Sequence, residues 1–216
     1  MCVSDTHGLY DYSNLPKGDI LIHAGDLTMM GTEKQVAEEA VRLREAAKSF
    51  EYTFIVPGNH DYLFETNYYK AKAMLTGNVS LLLDSGIAVM DTKFYGMPWV
   101  PGLPRWAFSN RRIDWPQKLK DIPDDTQVLI THAPARGILD AVKAGPTKYG
   151  YNHEPLLLGS ERLGKRIGEL KGLKAHVFGH IHDSHGTLNI GKTIRVNAAI
   201  CDEDYAAVNE PIVIEI

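Results

Sequence analysis

The stretch Asp19-Ile-Leu-Ile-His-Ala-Gly-Asp26 decides how the chain is read. Residues 19–24 form a short apolar run of the kind that makes a buried strand. The run passes at once into Gly25, where the backbone can approach a neighbour closely, and then into the carboxylate of Asp26. Open α/β sheets place ligands in this way, beyond the carboxyl ends of their strands. Working outward, the same pattern recurs. Residues 52–56, 127–131 and 175–178 predict further strands, which run into Gly58-Asn59-His60-Asp61, His132 and Gly179-His180-Ile181-His182 respectively. Upstream, Asp5-Thr6-His7 follows a brief apolar start.

Between the first two strands, residues 33–48 predict a helix. Thr32 and Gln35 are spaced as a capping box, and Val36, Ala40, Val41 and Ala47 form an apolar stripe. Residues 159–171 predict a second helix. The closing region changes character: residues 187–190, 193–196 and 212–216 read as strands with no helix between them, and Gly191-Lys192 suits a tight hairpin turn. A chain that is α/β first and mostly β later can form two packed sheets flanked by helices. No repeat, low-complexity tract or break in composition divides the 216 residues, so a single domain over 1–216 is expected.

Composition excludes several function classes. No apolar run approaches the roughly 18 residues needed to cross a bilayer, and no basic-then-apolar leader opens the sequence. A cytoplasmic location without a membrane partner is therefore the expectation. A net charge of −4 has the wrong sign for stable nucleic-acid binding. Arg105, Arg111 and Arg112 are the notable basic cluster and read as solvated arginines. Cys2 and Cys201 lack the close spacing of zinc or redox pairs and read as small buried residues. Oligomeric state is not encoded.

Aspartate and histidine chemistry remains to be explained. With 15 aspartates and 9 histidines, about 0.6 Asp-x-His pairs are expected at random, and the chain has two, Asp5-x-His7 and Asp183-x-His185. Either pair alone means little. Five strand ends that converge on one edge of a fold mean more, because imidazole nitrogens and carboxylate oxygens suit borderline divalent ions. A carboxylate bridging two such ions partly cancels their repulsion, and Asp26, behind its glycine, is the natural bridge. His180 and His182, two apart, either converge on one ion or serve neighbouring ones. His23 reads as a core residue behind the ligands, and His176 fits no pattern.

The ordered blocks D-x-H, G-D, G-N-H-D, H and G-H-x-H, spanning residues 5–182, resemble those of the calcineurin-like metallophosphoesterase superfamily. His23-Ala-Gly-Asp26, Pro98-Trp99, Asp124-Asp125-Thr126 and Val196-Asn-Ala-Ala199 are similar to its metallophosphoesterase domain-containing branch, which includes cyclic-nucleotide phosphodiesterases. The resemblance implies a four-layer αββα sandwich of two mixed β-sheets flanked by helices. It implies two divalent metal ions, with manganese favoured and iron or zinc also suited. Asp5, His7, Asp26 and His182 would hold one ion, and Asp26, Asn59, His132 and His180 the other. His60 would contact phosphate and protonate the leaving oxygen, with Asp61 orienting its imidazole. The substrate would be a small phosphate ester, attacked by a hydroxide bridging the ions.

The blocks also discriminate. Gly25-Asp26 is followed by Leu27-Thr28-Met29-Met30-Gly31, without the second aspartate and the arginine of protein phosphatases. A small phosphodiester is the favoured substrate; a phosphomonoester is the nearest alternative, ahead of a nuclease or a non-catalytic scaffold. Trp99, Trp106 and Trp115 fall within residues 97–116, either as the lid or wall of a site or as buried pins of a long loop, the second being favoured. The brief run before Asp5 predicts that the ion held by Asp5, His7 and His182 is the weaker bound if that run frays.

Overall fold

The computed structural model describes residues 1–143, 145–146 and 152–216. Its strands are β1 Cys2–Val3, β2 Ile20–His23, β3 Tyr52–Ile55, β4 Val79–Leu81, β5 Ser85–Val89, β6 Thr92–Met97, β7 Val128–Thr131, β8 Ala141–Val142, β9 Gly145–Pro146, β10 Asn152–His153, β11 Leu156–Leu157, β12 Ala175–Phe178, β13 Gly186–Ile190 and β14 Thr193–Asn197. The α-helices are α1 Glu33–Ala47, α2 Tyr62–Thr66, α3 Tyr68–Met74, α4 Trp115–Lys120 and α5 Glu161–Glu169.

Two sheets dominate. One has the order β1-β2-β3-β4 and the other β13-β14-β12-β7-β6-β5; β8 with β11 and β9 with β10 form small two-stranded ribbons. The first sheet is parallel through all four strands, and the second is mixed, with β12 parallel to both β7 and β14 and antiparallel pairs at its two edges. The expected closing strand at residues 212–216 reduces to one antiparallel bridge, Cys2 with Ile212. Beyond it, residues 213–216 pair with no strand among the described residues.

Side-chain alternation builds the layers. On β2 and β3, Leu21 and Ile55 face α1 and its neighbours, sharing a core with Val36, Leu43 and Phe64. Ile22 and Phe54, one residue away, point the other way and meet Val128, Ile130, Val177 and Val196 of the second sheet. Leu129 then faces outward onto Leu119, Leu163 and Ile167 of α4 and α5. Successive residues on opposite faces thus give helix, sheet, sheet and helix in order. On α1 the buried residues are Val36, Glu39, Ala40, Leu43 and Ala47, whereas Val41 is exposed. Val41 was expected in the apolar stripe, but it follows Ala40 by one position, about 100° around the helix, and leaves the face that Leu43 completes. The capping box of Thr32 and Gln35 forms as expected.

The two-residue β1 is held on both sides. Ile22 N donates to Met1 O, and Cys2 and Ile212 exchange two backbone hydrogen bonds. Just beyond β1, Ser4 bridges Ala199 and so ties the two sheets together at the edge where the strands end. These contacts oppose the fraying expected of so short a strand.

Candidate metal centre

Parallel strands bring their carboxyl ends to one edge, and the polar blocks meet there. Asp5 follows β1, Asp26 follows β2, Asn59 and His60 follow β3, His132 follows β7, and His180 and His182 follow β12. Asp5, His7, Asp26, Asn59, His60 and His132 are all buried.

Ligand atoms converge in three overlapping groups: Asp5 with His7 and His182, Asp5 with Asp26 and His132, and His7 with Asp26 and His60. His182 Nε2 lies 3.3 Å from Asp5 Oδ1, and His132 Nε2 lies 3.3 Å from Asp26 Oδ2. Asn59 Oδ1 is 3.0 Å from His132 Nε2. Asp5, His7 and Asp26 each belong to two of the groups. His180 sits one ring away, edge-on to His132 with centroids 5.0 Å apart, and its backbone N–H donates to Asp5.

Backbone carbonyls aim the imidazoles. His132 Nδ1 contacts Ala24 O at 2.9 Å, His182 Nδ1 contacts Asp202 O at 2.7 Å, and His60 Nδ1 contacts Met29 O at 2.6 Å. A carbonyl can only accept, so Nδ1 carries the proton and Nε2 points its lone pair into the site. His132 Nε2 then faces two acceptors, the oxygens of Asp26 and Asn59, and His182 Nε2 faces Asp5 and, at 3.4 Å, His7 Nε2. Acceptors crowded this closely against acceptors need a cation, or protons, between them. The donor set therefore fits divalent metal ions, and it fits borderline ions bound by nitrogen and oxygen.

Charge follows the same logic. Burial tends to raise the carboxyls of Asp5 and Asp26, but His182 and His132 respectively outweigh it and hold both below the usual range. Burial disfavours charge on His132 and His182 too, yet Asp26 and Asp5 push these imidazoles up to about 9. Burial dominates at His7, lowered to about 4, and at His180, lowered to about 3.

Strain and close packing shape the pocket. Asp5, His7, Asp26 and His180 all have left-handed backbones, with φ of 50°, 49°, 53° and 70°. Such conformations cost energy in residues other than glycine and collect where function demands them. Three glycines press against the ligands: an added Cβ would lie 2.3 Å from His132 Nδ1 at Gly25, 2.2 Å from Asp26 Oδ1 at Gly58, and 2.0 Å from Asp5 Oδ2 at Gly179.

Other residues were placed less accurately by sequence. Asp61, expected to orient the His60 imidazole, does not touch it. Its carboxylate instead accepts from the backbone N–H groups of Leu27, Thr28 and Gly58 and from the Thr28 hydroxyl, clamping the Asp26 loop to the Asn59 loop. The Met29 carbonyl orients His60. His23 is buried behind the ligands, with Nε2 on Thr6 Oγ1 at 2.9 Å and Nδ1 accepting from Gly25 N, as its core reading implied. Asp183 accepts from the Lys143 backbone and His185 meets the Glu210 carbonyl, so this pair stays outside the groups.

The tryptophans divide. Trp115 is buried at the first position of α4, and Trp99 Nε1 donates to Asp84. Trp106 instead packs on His60, with ring centroids 4.4 Å apart. Arg112 holds it there by donating to the Trp106 carbonyl while pairing with Glu65, so this arginine is not merely solvated. Tyr205, which sequence reasoning missed, has its ring 4.8 Å from His7, 5.6 Å from His182 and 6.1 Å from His60. It follows no strand-end block, so no pattern marks it.

Related sequences align with most or all of this chain. The human "Metallophosphoesterase domain-containing protein 1" is 34% identical over all of this chain and 70% of its own length. A UPF0046 protein of Caenorhabditis elegans is 32% identical over 99% of this chain and 73% of its own. More distantly, an Arcobacter nitrofigilis protein named "Probable glycerophosphodiester phosphodiesterase GpdQ" is 29% identical over 80% of this chain and 60% of its own length. A solved crystal structure superposes with a TM-score of 0.64 at 17% identity, covering 91% of this chain and 88% of its own, a likeness of fold. The family model for calcineurin-like phosphoesterases matches residues 1–184, from the Asp5 block through the His182 block. The chain belongs to the calcineurin-like phosphoesterase family.

Proposed function

We propose that the protein is a dinuclear metal-dependent phosphodiesterase acting on small phosphodiesters, cyclic nucleotides among them. The observation that carries this reading is the ring of imidazole Nε2 atoms, aimed by backbone carbonyls at Asp5 and Asp26. Asp5, His7, Asp26 and His182 would hold one ion and Asp26, Asn59, His132 and His180 the second, with manganese favoured over iron or zinc. When bound, the two ions lower the pKa of a water and neutralise charge on the phosphoryl oxygens.

The chain's own residues do the rest. His60 Nε2 faces the site 3.9 Å from Asp26 Oδ2, with its Nδ1 proton committed to Met29 O. With Nδ1 held by that carbonyl, His60 would act as a general acid in its doubly protonated form, in which Nε2–H points at the departing oxygen of an ester bound at the site. Asp61 contributes by fixing both loops rather than by contact with the ring. Trp106 and Tyr205 present aromatic surface beside His60, suited to the organic part of a diester. The relative named as a glycerophosphodiester phosphodiesterase supports diester chemistry.

The test compares a nitrophenyl phosphodiester, the matching monoester and 2′,3′- and 3′,5′-cyclic nucleotides, using one manganese-loaded preparation. The diesters should turn over at least tenfold faster, by kcat/KM, than the monoester. A preference for the monoester would make the protein a phosphomonoesterase, and no hydrolysis of either by fully loaded protein would make it a scaffold.

A further inference from the structure

Away from the metal centre, the helix-facing side of the second sheet holds a charge with no visible counterpart. Arg195 projects from β14 and is only 9% exposed. Its Nη1 has no hydrogen-bond partner, and among the described residues no carboxylate pairs with its guanidinium. His176, its register partner on β12, is fully buried. The Thr131 hydroxyl donates to Ala133 O and so accepts from His176 Nε2, leaving Nδ1 as a second orphaned atom. Burial holds His176 well below its ordinary value, and the nearby arginine adds to that effect. An imidazole carries no negative charge in either protonation state, so His176 does not compensate the arginine.

Burying an unpaired charge is unfavourable, and folded chains rarely accept it without a partner. Arg195 lines a cavity of about 540 Å³ between α5 and the β13–β14 hairpin. Two more cations stand at its rim, Lys165, which is exposed, and Arg136, which is engaged with Glu161 and the Leu157 carbonyl. Ile138, Ile167 and Ile190 provide apolar wall, and Ile190 is 42% exposed although it belongs to a sheet. The volume falls in the range of small-molecule pockets, which combine apolar walls with a few converging polar groups.

We propose that this cavity is a second ligand site, binding a small organic anion whose carboxylate or phosphoryl group meets the Arg195 guanidinium and whose apolar body lies on Ile138, Ile167 and Ile190. A guanidinium fork matches either anion with two parallel hydrogen bonds. The site is separate from the metal centre and does not depend on the phosphodiesterase reading.

The experiment is calorimetric titration of the metal-loaded protein with three probes: 4-methylpentanoate, 3-methylbutylphosphonate and inorganic phosphate. Wild type should bind at least one of the two branched probes saturably with one-to-one stoichiometry, and more tightly than inorganic phosphate. Arg195→Met, which keeps side-chain length, should remain folded by circular dichroism and weaken that binding at least tenfold. Lys165→Glu should weaken it by a smaller factor, and Asp26→Ala, which is expected to lose its metal, should retain the Arg195-dependent binding. Binding that survives Arg195→Met, that disappears only in Asp26→Ala, or that is absent for all three probes would overturn the proposal. If Arg195→Met does not fold, Ile190→Asp serves in its place, since a carboxylate at the exposed rim must repel both branched probes.

Discussion

At the residue scale, the three glycines behind the ligands constrain the site as firmly as the ligands do. A methyl group at Gly58 would lie 2.2 Å from Asp26 Oδ1 and 2.4 Å from Asp26 N, and the backbone contact leaves nothing flexible to yield. Gly58→Ala should therefore leave the fold intact by circular dichroism while lowering metal affinity tenfold or more, measured by competition with a chelator. Glu39 gives a second prediction, away from the chemistry. It is 2% exposed and accepts a 2.6 Å hydrogen bond from Tyr12, and burial raises its carboxyl from 4.5 to about 7 despite that bond. The folded state thus retains a proton that the unfolded chain releases, so stability is full below pH 4.5 and falls as pH rises towards 7. Glu39→Gln should flatten that decline in urea denaturation, leaving the variant more stable than wild type at pH 8 by on the order of 3 kcal/mol. Sequence showed the ligand types because each lies in a short block at a strand end. It did not show Tyr205 or the Met29 carbonyl, since a contact made by a loop backbone or by an isolated aromatic leaves no spacing to read.

At the scale of elements, the legible ones were those with a local signal. The strand at Ile20–His23 has apolar residues on both faces up to Ile22 because both faces are covered, and α1 begins where its capping box says it should. Thr32→Ala removes the hydroxyl that accepts from Gln35 N and should cost about 1 kcal/mol in urea denaturation, with metal content unchanged. Ser85–Val89 and Thr92–Met97 were less legible. They form an antiparallel pair at the edge of the second sheet, and glycines and exposed residues blur their alternation. The final apolar stretch failed for the opposite reason, since its residues have strand propensity but, among the described residues, only Ile212 finds a bridge partner, at Cys2.

At the scale of the molecule, the four layers bring loops from both sheets to one edge, and neither sheet alone completes the centre. Asp5, His7, Asp26 and Asn59 come from the first sheet, while His132, His180 and His182 come from the second. Order along the chain therefore revealed the set of blocks, but only packing revealed that His60 Nε2 comes within 3.9 Å of the shared carboxylate of Asp26. That proximity puts His60 inside one of the three ligand groups, although the proposed mechanism makes it an acid and not a ligand. The most direct test is metal content by mass spectrometry beside diesterase turnover, for wild type, His60→Ala and Asp26→Ala in parallel. The account predicts two ions per chain in wild type, two ions with turnover reduced between about 100-fold and 10,000-fold in His60→Ala, and loss of both metal and activity in Asp26→Ala. Metal lost in step with activity in His60→Ala, or full metal and near-normal rate in Asp26→Ala, would contradict it.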